Sequence, residues 1–157
     1  MDESNFSDEA VRDAAERFRK AIEETDETRL PIALQEFPLG SAGDATPLLG
    51  TFLIESGLGK FDYVSGQRGG DRKHRWTTHA WLQQGPLIVD ITADQYRDCD
   101  EPVIVSRNSV WHEQFNGEKE HIADYRIYDD YTERTLGKAY RTIVGRVTSL
   151  RRHGPRR

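Results

Sequence analysis

The chain is poor in cysteine, with a single one, Cys99, among 157 residues. One thiol excludes an intramolecular disulfide framework, and no paired Cys/His spacing points to structural zinc. Long apolar runs are missing as well: no segment approaches the ~20 residues that a membrane span needs. The first ten residues, Met1 to Ala10, are acidic and lack an apolar stretch, so they do not read as a signal peptide. A basic excess is also lacking. The formal net charge is -5, whereas a dedicated nucleic-acid binder carries a basic patch or stripe. The expectation is a cytoplasmic protein, although an effector exported without a cleaved signal would read the same way.

What is present suits one folded domain over residues 1–150, followed by a basic, disordered tail at 151–157. Hydrophobic residues make up 36% and charged residues 31%, polar for a globular protein but not disordered. Ser7 before Asp8 and Glu9 reads as a helix cap followed by a negative first turn. Val11, Ala14, Ala15, Phe18 and Ile22 then recur at helical spacing, giving an amphipathic helix that ends near Glu24. Residues 26–40 read as a connection holding Pro31 and Pro38. A second helix opens at Ser41, whose hydroxyl is expected to cap it with Asp44 completing a variant capping box. Leu48, Leu49, Phe52 and Leu53 form its buried stripe, Gly57 its stop. Pro47 threatens a kink, since it removes one backbone hydrogen bond.

Beyond this helix the period falls towards two. Strands are predicted over 61–65, 78–83, 87–92 and 103–106. Residues 66–75 are glycine-rich and charged, a mobile loop or a substrate-gating flap. A last helix spans about Tyr131 to Leu150, with Gly137 and Gly145 each costing roughly 1 kcal/mol against alanine. The fold class is therefore α+β, helices packed on an antiparallel sheet of about four to six strands.

The segment THAWLQQGPLIVDIT, residues 78–92, carries the most chemistry. With Gln84-Gly85 as a two-residue turn, Leu82 pairs Leu87, Ala80 pairs Val89, and His79 falls opposite Asp90. Ala80, Leu82, Leu87, Val89 and Ile91 collect on the other face. The register that buries the apolar side thus sets an imidazole beside a carboxylate, roughly 4.5–5.5 Å apart at Cβ. This is the geometry of a base and its orienting acid, and equally of an ordinary cross-strand pair. Trp81 on the same face either walls a cleft or is half-buried sheet. Asp94 and Gln95 either line the cleft or only turn the chain.

FPLGSAGDATPLLG followed by HAWLQQGPLIVDIT resembles the papain-like and transglutaminase-like cysteine hydrolases, whose triad runs Cys, His, Asp along the chain. The resemblance covers about residues 34–92. It implies that Ala42 occupies the nucleophile position at a helix start, with His79 the general base and Asp90 its orienting acid. It further implies that Gln35 assists an oxyanion, with Gly43 and Trp81 as candidate oxyanion or substrate contacts. The implied activity is acyl transfer on a protein or peptide substrate: peptide or isopeptide hydrolysis, deamidation or transamidation, with no cofactor and no metal. Alanine at position 42 leaves two accounts open, a natural pseudoenzyme acting as a protein-binding module or a Cys→Ala change in a working enzyme.

The remaining candidates read as ordinary residues. Asp98, Asp100 and Glu101 around Cys99 raise a thiol pKa, which makes it a poor nucleophile. His74, His112, His121 and His153 lack metal-ligand spacing. Trp76 and Trp111 read as core or interface. Binding of nucleic acid through the arginine-rich tail would be strongly salt-dependent.

Overall fold

The computed structural model describes residues 7–69 and 76–152, the last three by backbone alone. Helix α1 covers Asp8–Glu23. Its cap is the one the sequence indicates: the Ala10 N–H donates to Ser7 Oγ at 3.0 Å. Val11, Ala14, Ala15, Phe18 and Ile22 are all buried. The connection after it contains a 3-10 turn at Glu27–Arg29 and a short helix α2 at Ile32–Gln35.

Helix α3, Ala42–Glu55, continues through Pro47 and is buried on nearly every side from Ala45 to Leu53. Its start corrects the expected cap. No side chain caps the helix, because the Ser41 hydroxyl turns away and donates to Ala33 O at 2.8 Å. The first-turn N–H groups, those of Ala42 and Gly43 foremost, are thereby left without a side-chain acceptor. Asp44 makes no capping box either, and burial pushes its carboxyl above the ordinary value.

Five antiparallel strands follow: β1 Asp62–Arg68, β2 Thr77–Gln84, β3 Leu87–Asp90, β4 Ile104–Ser106 and β5 Glu118–Ile122. Their order across the sheet is β4-β3-β2-β1-β5. The sheet and its helices bear out the α+β class. Strand β5, sequence EKEHI, lacks the β-branched alternation that marks the others and is not legible in advance. Gly66–Arg68 extend β1, while 70–75 of the expected loop lie outside the described residues. Between β4 and β5 sits a four-residue helix α4, Val110–Glu113. The last helix, α5, runs Asp130–Arg152 through both glycines, so most of the expected tail, 153–157, lies outside the described residues.

The β2–β3 register is shifted by two residues from the expected one. Leu82 pairs Val89, Gln83 pairs Ile88 and Gln84 pairs Leu87. The turn is Gly85-Pro86, with Gly85 at φ +58. A two-residue turn with positive φ at its first position alone suits Gly then Pro, whereas Gln84-Gly85 would force glutamine into the left-handed region. A shift of two preserves the faces. Leu82, Leu87, Val89 and Ile91 still enter the main core with α1, α3 and α5. His79 and Asp90 still share the opposite face, now as diagonal neighbours. That face carries a second, smaller core of Val64, Trp81, Ile88 and Phe115, with Trp111 packed against it.

Candidate functional site

Asp90 ends β3 and is buried, as are His79 on β2 and His112 on α4. One carboxylate oxygen serves both rings. His79 Nε2 lies 2.7 Å from Asp90 Oδ2 and His112 Nε2 lies 2.6 Å from the same atom. The other oxygen, Oδ1, accepts the Thr92 N–H at 2.9 Å. Burial alone would raise the Asp90 carboxyl. The attraction of His79 and the hydrogen bonds from both rings outweigh it and hold the group well below the ordinary carboxylate range.

An ionised carboxylate can only accept, so both Nε2 atoms carry the hydrogen and donate it. When the rings are neutral, the two Nδ1 atoms then have lone pairs to satisfy. His112 Nδ1 accepts the Ser109 hydroxyl at 2.6 Å. His79 Nδ1 is buried and has no partner among the described residues. A buried polar atom left bare calls for an explanation, because such atoms cost free energy. Aromatic rings pack on the His79 ring: Tyr96 edge-on at 5.2 Å, Trp111 edge-on at 5.6 Å and Phe115 tilted at 5.6 Å between centroids. They keep the surroundings apolar and lower the local dielectric.

His79 also lines a cavity of about 230 Å³, and Ala42 and Gly43 at the start of α3 line it too. The helix start and the imidazole thus line one cavity, and Asp90 lies behind the imidazole. Ala42 is 9% exposed. The approach is held by Gln95, whose Oε1 accepts the Gly40 N–H at 3.1 Å and whose Nε2 donates to Thr92 O at 3.1 Å. Gln95 and Tyr96 complete one wall of the cavity and Tyr63 and Ser65 another.

The other residues named from the sequence lie elsewhere. Gln35 is exposed and donates to Leu30 O at 3.0 Å, outside the cavity lining. Trp81 is sheet rather than cleft wall: it is 3% exposed and packs in the smaller core. Asp94 forms an ion pair with Arg19 at 2.8 Å. Trp76 is 58% exposed, not core. Cys99 is free, and burial foremost, with Asp90, Glu101 and Asp94 adding to it, pushes its thiol up.

His112 is the residue that sequence reasoning missed. It lies 22 residues beyond Asp90, in a helix of four, and spacing carries no trace of it. The only local signal is the S-x-x-H arrangement of Ser109 and His112, which also reads as a plain helix cap.

His79, Asp90 and His112 are donor types that a metal ion takes, and one donor atom from each lies within 4.8 Å of the others. The Nε2-to-oxygen separations of 2.7 and 2.6 Å are those of charge-assisted hydrogen bonds. Two ligands at ~2.0 Å from a tetrahedral zinc sit about 3.3 Å apart. The trio is spaced for shared protons.

Among the described residues no helix is long and apolar enough to cross a membrane. No protein-family model, curated protein or solved structure matches the chain.

Proposed function

We propose that positions 42, 79 and 90 form the site of a cysteine-dependent acyl-transfer enzyme of the papain-like or transglutaminase-like kind, carried here with alanine at the nucleophile position. One observation supports this most: the buried Nδ1 of His79, its other nitrogen held by Asp90, has no partner among the described residues, and His79 lines the same cavity as Ala42. A thiol at position 42 is the partner such a lone pair lacks.

With cysteine at 42, His79 Nδ1 takes the thiol proton and Asp90 stabilises the imidazolium. The thiolate attacks a carbonyl carbon. The oxygen of the tetrahedral adduct gathers charge beside the α3 first turn, where the uncapped N–H groups and the helix dipole favour an anion. His79 returns its proton to the departing amine or ammonia, leaving a thioester. Water or an amine, deprotonated by the same Nδ1, then attacks the thioester and regenerates the thiol. Substrates are peptide, isopeptide or carboxamide groups, and the reaction needs no cofactor. The Ala42 form binds such groups without forming the thioester.

The test is Ala42→Cys. At pH 6.5 its thiol is expected to react stoichiometrically with iodoacetamide, roughly 100-fold faster than Cys99. His79→Ala in the same background should remove that advantage. A thiol at 42 no more reactive than Cys99 would overturn the reading. Alanine itself favours a second reading, a protein-binding module that kept the fold and lost the chemistry. That reading asks for no thiol activation, so the same experiment separates the two.

A further inference from the structure

Among the buried titratable side chains that the acyl-transfer reading leaves unused, His112 touches the acid of the site. His112 is 2% exposed, donates through Nε2 to the oxygen His79 uses, and is itself braced by Ser109. Ser109 is committed locally. Its Oγ accepts the His112 N–H at 3.4 Å as the cap of α4 while donating to the ring. It is a brace for the imidazole and not a second nucleophile.

Resting on the acyl-transfer reading, we propose that His112 is a positioning residue that divides the charge of Asp90 between two imidazoles and so sets how strongly Asp90 supports a proton on His79. Asp90 Oδ2 accepts two short hydrogen bonds at once. Each bond draws electron density from the oxygen and weakens the other, so His112 competes with His79 for one anion. The carboxylate does not depend on His112 for its place. Thr92 holds the other oxygen through its backbone N–H. Loss of His112 therefore changes the charge that His79 faces more than the position of Asp90.

Other charged and titratable groups surround this pair, and at the start of α3 burial raises the Asp44 carboxyl. From β1, Arg68 lies over the rings of Tyr96, Trp111 and Phe115 at 5.2, 5.2 and 4.7 Å. It pairs with Asp98 at 2.7 Å, and that bond holds the Asp98 carboxyl below its ordinary value. Beyond β3, the Tyr96 hydroxyl donates to Thr78 O at 2.5 Å and burial pushes its pKa up. The Cys99 thiol is likewise pushed up. From α4, Ser109 and Trp111 bring no charge. A change in pH response on replacing His112 thus reports on the three-residue network.

The experiment follows alkylation and the 15N shifts of the His79 ring in the Ala42→Cys protein as a function of pH, alone and with His112→Leu or His112→Gln. Leucine removes the competing donor. Asp90 then supports the His79 proton more strongly, so the pH at which His79 loses that proton is expected to move up by about one unit, a tenfold shift of the equilibrium. Glutamine keeps an N–H donor and should leave the His79 midpoint within a few tenths of its value in the Ala42→Cys protein. A His79 midpoint that stays put or moves down in His112→Leu, in a folded protein, overturns the inference. A thiol at 42 that shows no enhanced reactivity with His112 intact overturns the acyl-transfer reading instead, and the two failures are told apart. A second measurement covers a leucine variant that does not fold. Long-range 15N–1H NMR of the unaltered Ala42 chain should show His112 protonated at Nε2 and bare at Nδ1. A bare Nε2 on His112 would leave Asp90 no second donor and end the proposal.

Discussion

Asp90 is the residue on which the site turns, since it accepts from two rings and one backbone N–H while buried. Its folded-state carboxyl lies well below the ordinary value. A group depressed in this way contributes stability that is complete above its unfolded pKa, about 3.9, and that is lost as pH falls through the folded value. Acidification from about pH 5 should therefore lower the free energy of unfolding, and Asp90→Asn should flatten that acid slope. Urea titrations at stepped pH check it. An acid slope unchanged in the variant would show that the carboxylate is not held as the hydrogen bonds require. His79 and Asp90 are legible in the sequence because alternation assigns them one face whichever even slip the hairpin adopts. The roles of Ser41 and Gln35 are not. A short polar side chain at a helix start can serve the helix or a nearby carbonyl, and only the path of residues 30–40 settles which.

At the level of elements, α3 is where composition misleads least and packing demands most. Gly50 faces Ala123, and a Cβ there would lie 2.1 Å from the Ala123 carbonyl oxygen. That is backbone on a loop tied to the helix: Thr51 Oγ1 accepts the Tyr125 N–H at 3.1 Å. Gly50→Ala is expected to cost about 3 kcal/mol, measured by chemical denaturation, because the overlap is relieved only by moving α3 off the loop. In isolation the same change would favour the helix by roughly 1 kcal/mol. A stabilised variant would therefore mean that the approach is looser. The β2–β3 hairpin offers a milder test. Gly85 at φ +58 should tolerate alanine at a loss of about 1 kcal/mol, with the register kept by the adjoining Pro86. The sequence marks the turn but not its frame, since QQGP contains two overlapping two-residue turns. Conformational sterics at Gly and Pro choose between them.

Across the whole molecule, one core of residues from α1, α3, α5 and the inner sheet face is joined by a buried arginine. Arg19 on α1 donates to Ile91 O at 2.9 Å and Pro102 O at 2.8 Å, and pairs with both oxygens of Asp94. It fastens the first helix to the chain on either side of the β3–β4 connection. Arg19→Met should lower stability by about 3 kcal/mol, since two carbonyls and a carboxylate lose their donor together. Far-UV circular dichroism and tryptophan fluorescence should still report one coincident transition. Separate transitions would show that α1 is not integral to the core. The sequence by itself determined the helices with regular apolar stripes, the faces of the central hairpin, and the order helix start, imidazole, acid. Those follow from periods of 3.6 and 2 and from local sterics, which act over a few residues. Only the tertiary structure decided the placement of β5, the free first turn of α3, the burial of Trp81 and the arrival of His112 at Asp90. Each of these depends on which distant segments share a limited interior, and no local pattern encodes that.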